Sequence, residues 1–405
     1  MTVLSVVIPT RDRVQTAVRT VDNVLRCAGA DVEIIVQDCG TSHALRKHIE
    51  RVADARLHYK HTVGPLSMTE NWNRAAKFIQ GEYAVFIGDD DGVLPEIGLV
   101  AQWAKANKIA AVAYRAANYF WRDYPGPRSG HLFYKPPYTG KCQPMEAGVA
   151  LKAALRINAG SIVALPQLYH GIVATEHLLA ISGRHGKLFD AVHPDYYVAW
   201  ALAHEIADYI HIDYPLTVVG SSARSNTSPM RHRRARIGRH LSEYQDNVWP
   251  DMLPIGFAHV PECLTAATMI TAAQDHWSPE DVRDLVVLAP AYAACIVDSP
   301  VRARELLRLF VRNVERLGRD YRKELGEIGR QLALRIGARV YAQVQDFSTP
   351  AMYRRRGYTV QPAEDIVAAV DRLSANIPDA RSALLHAVEA EHDSFEDSCD
   401  SRQLT

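Results

Sequence analysis

An apolar strand that runs directly into three consecutive aspartates constrains this sequence more than any other feature. Residues 82–95 read EYAVFIGDDDGVLP, and clustered carboxylates at a strand end are costly unless a cation holds them together. Ligands of open α/β sheets bind at the carboxyl ends of strands, and Mg²⁺ and Mn²⁺ prefer carboxylate and phosphate oxygens. The segment therefore predicts a metal-bridged phosphate site. The competing interpretation is an acidic, solvated turn without a ligand.

The first 115 residues alternate between strand-like and helix-like patterns. Apolar strand segments are predicted at 3–9, 32–36, 55–60 and 109–114, in addition to the strand before the aspartates. Apolar residues at helical spacing lie between them, at 14–25, 45–52 and 68–78, and Pro95 opens a further helix. Such alternation is typical of a doubly wound α/β sheet, so this part predicts a nucleotide-binding half-sheet.

The composition is that of a folded protein without a dominant charge. Lys plus Arg and Asp plus Glu are both 46 in 405 residues, so the chain lacks the basic field that usually accompanies nucleic-acid binding. Six cysteines without C-x-x-C spacing argue against a zinc site or a disulfide framework. Neither a secretory signal pattern nor an apolar stretch of ~20 residues is evident. We therefore expect a cytoplasmic protein whose membrane contact, if it has one, is peripheral and at the inner face.

Four segments together resemble family 2 glycosyltransferases of the non-processive, bacterial type. They are SVVIPTRDR, IIVQDCG, ENWNRAAKFIQGEYAVFIGDDDG and PDYYVAWALA, and the resemblance covers residues 1–225. It implies the GT-A fold: a Rossmann-like mixed sheet with helices on both faces, here followed by an α-helical C-terminal region. The Gln-x-x-Arg-Trp signature of processive members is missing, which favours single-sugar transfer. Asp38 stands in a QDCG segment where the family often carries Asp-x-Ser-x-Asp.

The resemblance also implies a set of site residues around a divalent cation, Mn²⁺ or Mg²⁺, and a nucleoside diphosphate sugar. Asp89 and Asp91 form the D-x-D pair expected to bind the metal, with Asp90 in a supporting role. The expected nucleotide-sugar contacts are Pro9, Thr10, Arg11, Asp38, Asn73, Arg74, Asp89 and Asp90. Turn formation, helix capping or plain surface charge are the alternatives for Asp38 and Arg11.

Asp195 is the candidate general base, because an acceptor hydroxyl must lose its proton as it attacks the anomeric carbon. It precedes an apolar helical pattern about one hundred residues after the aspartates, which resembles the family's catalytic helix start. A single base implies one displacement with inversion, whereas a covalent route would need a second carboxylate close by. Ordinary helix capping is the alternative role for Asp195.

The candidate contacts to acceptor or phosphate are His170, His232, Arg233 and His240. The last three lie in GSSARSNTSPMRHRRARIGRH, residues 220–240, where small polar residues give way to arginines. In the resembling family a loop in this region can close over the diphosphate, and imidazole is a competent ligand for Mn²⁺. A solvated basic helix or linker, and attraction to an anionic membrane surface or a lipid-linked acceptor, are the alternatives. For His170 the alternative is a structural hydrogen-bonding role.

The expected organisation is a catalytic domain at 1–225, with a nucleotide-binding half at 1–115 and an acceptor half at 116–225. A basic mobile segment at 226–240, an α-helical domain at 241–388 and an acidic, disordered tail at 389–405 follow. The apolar stripes of the helical domain could serve packing, acceptor binding or a homodimer.

We expect an inverting, metal-dependent glycosyltransferase that moves one sugar to an acceptor hydroxyl, by family default a saccharide or lipid-linked saccharide in surface polysaccharide synthesis. One alternative is transfer to a modified nucleobase in DNA or to a small metabolite, with the arginines of 231–239 as the DNA contact. A nucleotidyltransferase or a nucleotide-binding regulator on the same half-sheet is the other alternative.

Overall fold

The structure is a computed structural model that describes residues 2–64, 66–157, 162–225, 249–257, 259–344 and 349–400. The strands are β1 (Leu4–Thr10), β2 (Val32–Asp38), β3 (Leu57–His61), β4 (Tyr83–Phe86), β5 (Gly92–Val93), β6 (Ala111–Tyr114), β7 (Ala117–Phe120), β8 (His131–Tyr134), β9 (Cys142–Glu146), β10 (Gly171–Ala174), β11 (Asp208–Ile212), β12 (Thr217–Ser221) and β13 (Thr359–Pro362). The helices of the first part are α1 (Val14–Cys27), α2 (Ala44–Val52), α3 (Met68–Ala76), α4 (Ile97–Ala106), α5 (Ala147–Ile157), α6 (Thr175–His185) and α7 (Pro194–Glu205). The later helices are α8 (Pro261–His276), α9 (Pro279–Leu285), α10 (Ala289–Asp298), α11 (Ala303–Arg316), α12 (Tyr321–Val344), α13 (Pro350–Arg355), α14 (Ile366–Asn376) and α15 (Pro378–Asp400).

Eight strands form a mixed sheet in the order β3-β2-β1-β4-β10-β6-β11-β9. Strands β1 to β4 are parallel neighbours, as helical crossovers require. Strand β10 lies antiparallel between β4 and β6. In the register, Thr10 at the end of β1 is the partner of Asp38 at the end of β2. The strand ends that carry the predicted site residues therefore meet at one edge.

Helices cover both faces of this sheet, which confirms the predicted fold class. Successive strand side chains point to opposite faces, so Val7 and Phe86 join one core with α3, α5 and α7. Val6 and Val85 join the other core, with α1 and α4. Strands buried on both faces read as continuous apolar runs, which is why the sequence locates β1 and β2 so well.

A second, five-stranded sheet in the order β13-β8-β7-β12-β5 lies behind the aspartates. Its edge strand β5 begins at Gly92, directly after Asp91, and pairs antiparallel with β12. Its other edge, β13, comes from the C-terminal region. The aspartates thus leave the first sheet and enter the second one.

The C-terminal region is mostly helical, as predicted, but the expected boundary at 241–388 separates parts that pack together. Helix α14 lies against the first part of the chain: a Cβ at Gly92 would be 2.8 Å from Cγ1 of Ile366. The guanidinium of Arg19 on α1 donates to Asp365, and Arg26 pairs with Asp371. Periodicity predicts a helix but not the surface that the helix covers, and these contacts join α14 to the first part of the chain.

Helix α8 packs on α7, and helices α9 to α12 extend the core on that side of the first sheet. The hydroxyl of Tyr197 on α7 donates to Asp275 on α8 at 2.7 Å. Helix α15 continues to Asp400, so residues 389–400 of the predicted disordered tail are helical, which the high helix propensity of Ala and Glu favours. Among the described residues, none of the helices is long and apolar enough to cross a membrane.

Candidate active site

Asp91 is a fully buried carboxylate held by three hydrogen-bond donors and by its contact with His170. Its Oδ1 accepts the backbone N–H of Gly220 at 2.6 Å. Its Oδ2 accepts the N–H of Gly88 at 2.5 Å and the hydroxyl of Tyr169 at 2.9 Å, and Nε2 of His170 lies 3.0 Å away. Burial alone would raise the pKa of Asp91, but His170 and the two N–H groups outweigh it and lower the pKa. Asp91 therefore joins the two sheets as a charged hydrogen-bond acceptor.

His170 is placed on Asp91 by a strained turn. Its backbone φ is +60°, a left-handed conformation that non-glycine residues adopt rarely and that often occurs at functional sites. Its Nδ1 lies 2.9 Å from Oγ1 of Thr217 on β12, and its side chain is 7% exposed. The structure thus gives His170 the structural alternative: it bridges Asp91 and Thr217 behind the site.

Asp89 and Asp90 are also buried, and they share the guanidinium of Arg13. Nη1 of Arg13 lies 3.0 Å from Asp89 Oδ1 and 3.4 Å from Asp90 Oδ2. The hydroxyl of Thr10 donates to Asp89 Oδ2 at 2.5 Å. Burial, reinforced by the charge of Asp90 and opposed by Arg13, raises the pKa of Asp89 to about 7. Burial raises the pKa of Asp90 as well, against the attraction of Arg13.

The segment after β12 closes on Asp90. Ser222 donates from its hydroxyl to Asp90 Oδ2 at 2.9 Å, and the hydroxyl of Ser225 bonds the same oxygen. The indole N–H of Trp121 donates to the Asp90 carbonyl at 2.8 Å. Within the described residues, no hydrogen bond reaches the other carboxylate oxygen, Oδ1. Asp90 therefore keeps one oxygen available to a ligand.

The exits of β1 and β2 are tied together beside these carboxylates. Oδ1 of Asp38 accepts the N–H of Gly40 at 2.7 Å, and its Oδ2 accepts the hydroxyl of Tyr59 at 2.8 Å. Asp12, at φ +56°, accepts the N–H of Thr41 at 2.8 Å. Because Thr10 pairs with Asp38 and also binds Asp89, the predicted nucleoside and phosphate ends lie side by side.

The other predicted nucleotide contacts have varied surroundings. Pro9 is buried in β1, and Arg11 donates to the carbonyl of Leu66 at 3.1 Å. Asn73 binds the backbone of the segment before α7, since its Oδ1 accepts the N–H of Phe189 at 3.0 Å and its Nδ2 donates to the Phe189 carbonyl at 2.7 Å. Arg74 is exposed on α3. The structure therefore gives Asn73 a positioning role that holds two chain segments together.

Asp195 lies in the first turn of α7. Its charge affects the pKa of a residue that contacts the aspartate triplet. Burial raises the pKa of Asp195, and the charges of His193 and His170 oppose that rise. The charge of Asp195 in turn contributes to the raised pKa of the Tyr169 hydroxyl, after burial and the nearer aspartates. The charge of Asp195 thus acts on Tyr169, whose hydroxyl donates to Asp91. The predicted contacts His232, Arg233 and His240 lie outside the described residues.

A divalent cation fits this site only if the substrate supplies part of its coordination. The described part of the chain contains no group of three or more His, Cys, Asp or Glu side chains arranged to hold a metal. Mg²⁺ typically uses one or two carboxylates plus substrate phosphates and water. Asp90 suits that role better than Asp91, because both oxygens of Asp91 already accept protein donors. Both oxygens of Asp89 are contacted as well, by the hydroxyl of Thr10 and the guanidinium of Arg13, so a cation at Asp89 would have to replace Arg13.

Several residues of the site escaped the sequence reasoning. Arg13 was visible as the last residue of PTRDR, and Ser222 and Ser225 as part of a small polar run before the arginines. Tyr169 and Thr217 carry no signal in the sequence, because only the insertion of β10 beside β4 brings them to Asp91.

Comparison with known proteins agrees with this geometry. Residues 5–151 match the family described as Glycosyl transferase family 2. The putative colanic acid biosynthesis glycosyl transferase WcaA of Escherichia coli (strain K12) is 33% identical over 141 residues, which are 34% of this chain and 50% of that protein. The chain thus spans about half the length of the curated relative that it matches.

Solved structures of S. aureus TarS are also similar. TarS 1-349 in complex with UDP-GlcNAc has a TM-score of 0.43 and 14% identity over 79% of this chain and 93% of that one. The complex with UDP has a TM-score of 0.41 and 15% identity over 80% and 92%. The similarity to glycosyl transferase family 2 therefore rests on residues 5–151.

Proposed function

We propose that the protein is an inverting glycosyltransferase that moves one sugar from a nucleoside diphosphate sugar to an acceptor hydroxyl with the help of a divalent cation. The observation that carries the proposal is the buried triplet of Asp89, Asp90 and Asp91 at the strand ends of a family 2 domain. The guanidinium of Arg13 is a single positive charge beside these three carboxylates. A further cation is the simplest way to keep all three carboxylates buried and ionised.

The strand exits supply the proposed donor site. Asp38 is held by Tyr59 and Gly40 in an orientation that can accept a hydrogen bond from a base N–H or a ribose hydroxyl. Thr10 links it to Asp89, where the diphosphate would lie. Arg11 directly follows Thr10 and is therefore proposed to contact the nucleotide. Charge-assisted hydrogen bonds from a guanidinium to phosphate are strong.

Asp90 and Asp89 are the residues proposed to hold the cation. When bound there, a divalent cation would act as a Lewis acid that stabilises the charge of the departing diphosphate. Asp91, with its three hydrogen bonds and its contact with His170, is proposed to fix the backbone of the triplet so that the two other carboxylates stay aimed at the sugar nucleotide. This differs from the sequence prediction, which gave Asp91 the metal and Asp90 the supporting role.

Asp195 is proposed to act as the general base. Its carboxylate would take the proton of the acceptor hydroxyl while the new C–O bond forms and the bond to the diphosphate breaks. A buried carboxyl with a raised pKa is a stronger base than a solvated one, and burial provides that rise here. One base and one displacement give inversion at the anomeric carbon.

The proposed acceptor is a saccharide or lipid-linked saccharide in polysaccharide assembly. The support is the curated relative, which is named for colanic acid biosynthesis.

The test is release of nucleoside diphosphate from UDP-, GDP- and dTDP-sugars, with Mn²⁺, Mg²⁺ or chelator. We expect one donor to be turned over only with metal. Asp90→Asn and Asp195→Asn should each lower the rate at least a hundredfold, in the usual range for a lost charge or base. Asp208→Asn, at an exposed position on β11, is the matched control and should keep the wild-type rate. Lack of donor binding and turnover under every metal condition would refute the proposal.

A further inference from the structure

We propose that Arg13 is a built-in competitor of the divalent cation, which pairs with the carboxylates of Asp89 and Asp90 until the diphosphate of the donor attracts it away. The inference rests on the proposed function, because it assigns the order in which charges meet at that same site. It concerns a residue that the resemblance to family 2 did not single out.

The first support is the position of the guanidinium. One nitrogen, Nη1, lies within 3.4 Å of a carboxylate oxygen of each residue, at 3.0 Å from Asp89 and 3.4 Å from Asp90. A divalent cation held by the same two carboxylates, even at Oδ1 of Asp90, would lie close to this guanidinium and be repelled by its positive charge. Arg13 and the metal therefore seek the same two partners.

The second support is that the arginine is anchored at its backbone while its side chain is partly exposed. The carbonyl of Arg13 accepts the N–H of Ala17 at 3.0 Å and the hydroxyl of Thr16 at 3.1 Å, which fixes its backbone at the start of α1. Its side chain is 24% exposed, compared with 2% for Asp89. The guanidinium can thus turn about its side-chain bonds while the carboxylates stay in place.

The third support is the chemistry of the exchange. A guanidinium binds phosphate oxygens as readily as carboxylate oxygens, and in both cases through its fork of N–H groups. A donor diphosphate placed beside Asp89 would offer Arg13 a new partner and at the same time offer the metal its phosphate ligands. Donor and metal should therefore bind cooperatively, and before the donor arrives Arg13 should keep the metal weakly bound.

The test is Mn²⁺ binding without nucleotide, measured by electron paramagnetic resonance of the free ion on wild type and Arg13→Gln. We expect Arg13→Gln to bind Mn²⁺ about tenfold more tightly, a coupling of ordinary size. In chelator, the same variant should bind UDP, used as the nucleoside diphosphate probe, several-fold more weakly. Opposite changes in the two affinities are the signature of an arginine shared between carboxylate and phosphate, because a merely structural role would weaken both.

The matched control is Arg19→Gln, on the same helix. Arg19 pairs with Asp22 and Asp365, away from the triplet, so its loss should leave the Mn²⁺ affinity unchanged. If Arg13→Gln does not give folded protein, Arg13→Lys replaces it: a lysine keeps the charge but lacks the fork, so Mn²⁺ should bind about two- to fivefold more tightly.

Equal or weaker Mn²⁺ binding in the folded Arg13 variant would overturn the inference. Failure of the proposed function is distinguishable, because it would show as wild-type protein that binds Mn²⁺ but turns over no donor.

Discussion

The contact between Gly220 and the aspartate triplet allows a sharp test of the site. A Cβ at Gly220 would lie 1.7 Å from the carbonyl oxygen of Asp90 and 2.9 Å from Nε1 of Trp121. Ordinary contacts begin at 3.4 Å, so Gly220→Ala must push β12 and the triplet apart by more than an ångström. The obstacle is backbone, which has no alternative rotamer.

The expected cost follows from what that shift breaks. The N–H of Gly220 donates to Asp91 at 2.6 Å, and an added ångström takes it beyond hydrogen-bond range. Losing a hydrogen bond to a buried charge costs about 1.5–3 kcal/mol, and overpacking costs about 1–3 kcal/mol more. We therefore expect Gly220→Ala to lower the free energy of unfolding by roughly 3–5 kcal/mol, a large part of a typical total.

The assay is urea unfolding followed by tryptophan fluorescence, with Gly183→Ala as the control. Gly183 is exposed in helix α6, and its Cβ would meet nothing within 4 Å, so alanine there should stabilise by up to about 1 kcal/mol. A Gly220→Ala protein within about 0.5 kcal/mol of wild type would refute the reasoning, because it would mean that β12 is not held against the triplet as described.

Three further predictions concern the pH dependence of activity, the pH dependence of stability, and an ion pair between α15 and the first part of the chain. Burial raises the pKa of Asp195, and a general base works only when it is deprotonated. On the acid side of the pH–rate profile, kcat/KM should therefore fall tenfold per pH unit, below a pKa that is higher than the usual ~3.9. A value of kcat/KM that stays constant down to pH 4 would contradict this prediction. Burial and the neighbouring His185 lower the pKa of His276 to about 4 in the folded protein. As the pH falls, the imidazole of His276 is therefore protonated at a higher pH in the unfolded state than in the folded state. The free energy of unfolding should therefore fall by about 1–2 kcal/mol, after allowance for partial exposure, as the pH is lowered from about 6.5 toward 4. Urea unfolding of wild type and His276→Gln at both pH values measures this loss. Equal pH dependence in the two proteins would disprove the prediction. Arg381→Ala should cost about 1 kcal/mol, because Arg381 pairs with the buried carboxylate of Glu96; the thermal unfolding midpoint measures it, and an unchanged midpoint would mean that solvent replaces the arginine.

The sequence predicts best those strands that are buried along their whole length, because such strands consist of consecutive apolar residues. Strands β1 and β2 are buried throughout, so their apolar runs stand out, and the aspartates follow β4 without a gap. Asp38 and Asp89 could be expected near each other, because parallel strands end at the same edge of a sheet. The sequence therefore indicated the family, the fold class and the neighbourhood of the site.

The partners within the site could not be predicted, because a pattern of burial does not say what covers a residue. His170 looks like an isolated polar residue in the sequence, but β10 carries it beside β4 and its left-handed backbone turns it onto Asp91. The metal role proposed from D-x-D spacing depends on which oxygens are already occupied. Only the hydrogen bonds to Asp91 and the free oxygen of Asp90 distinguish these neighbours.

The pairing of β13 with β8 has a consequence for how the protein is made. Val360 lies opposite Phe133, so a growing chain must add most of its length before this edge can close. At about 5–20 residues per second, β8 waits on the order of ten to forty-five seconds for its partner, and an unpaired strand edge invites association with other chains. Helix α14, which covers Gly92 behind the aspartates, arrives with the same delay. The acidic centre begins to form early in translation, yet its back wall is completed only after residues 366–376 have left the ribosome.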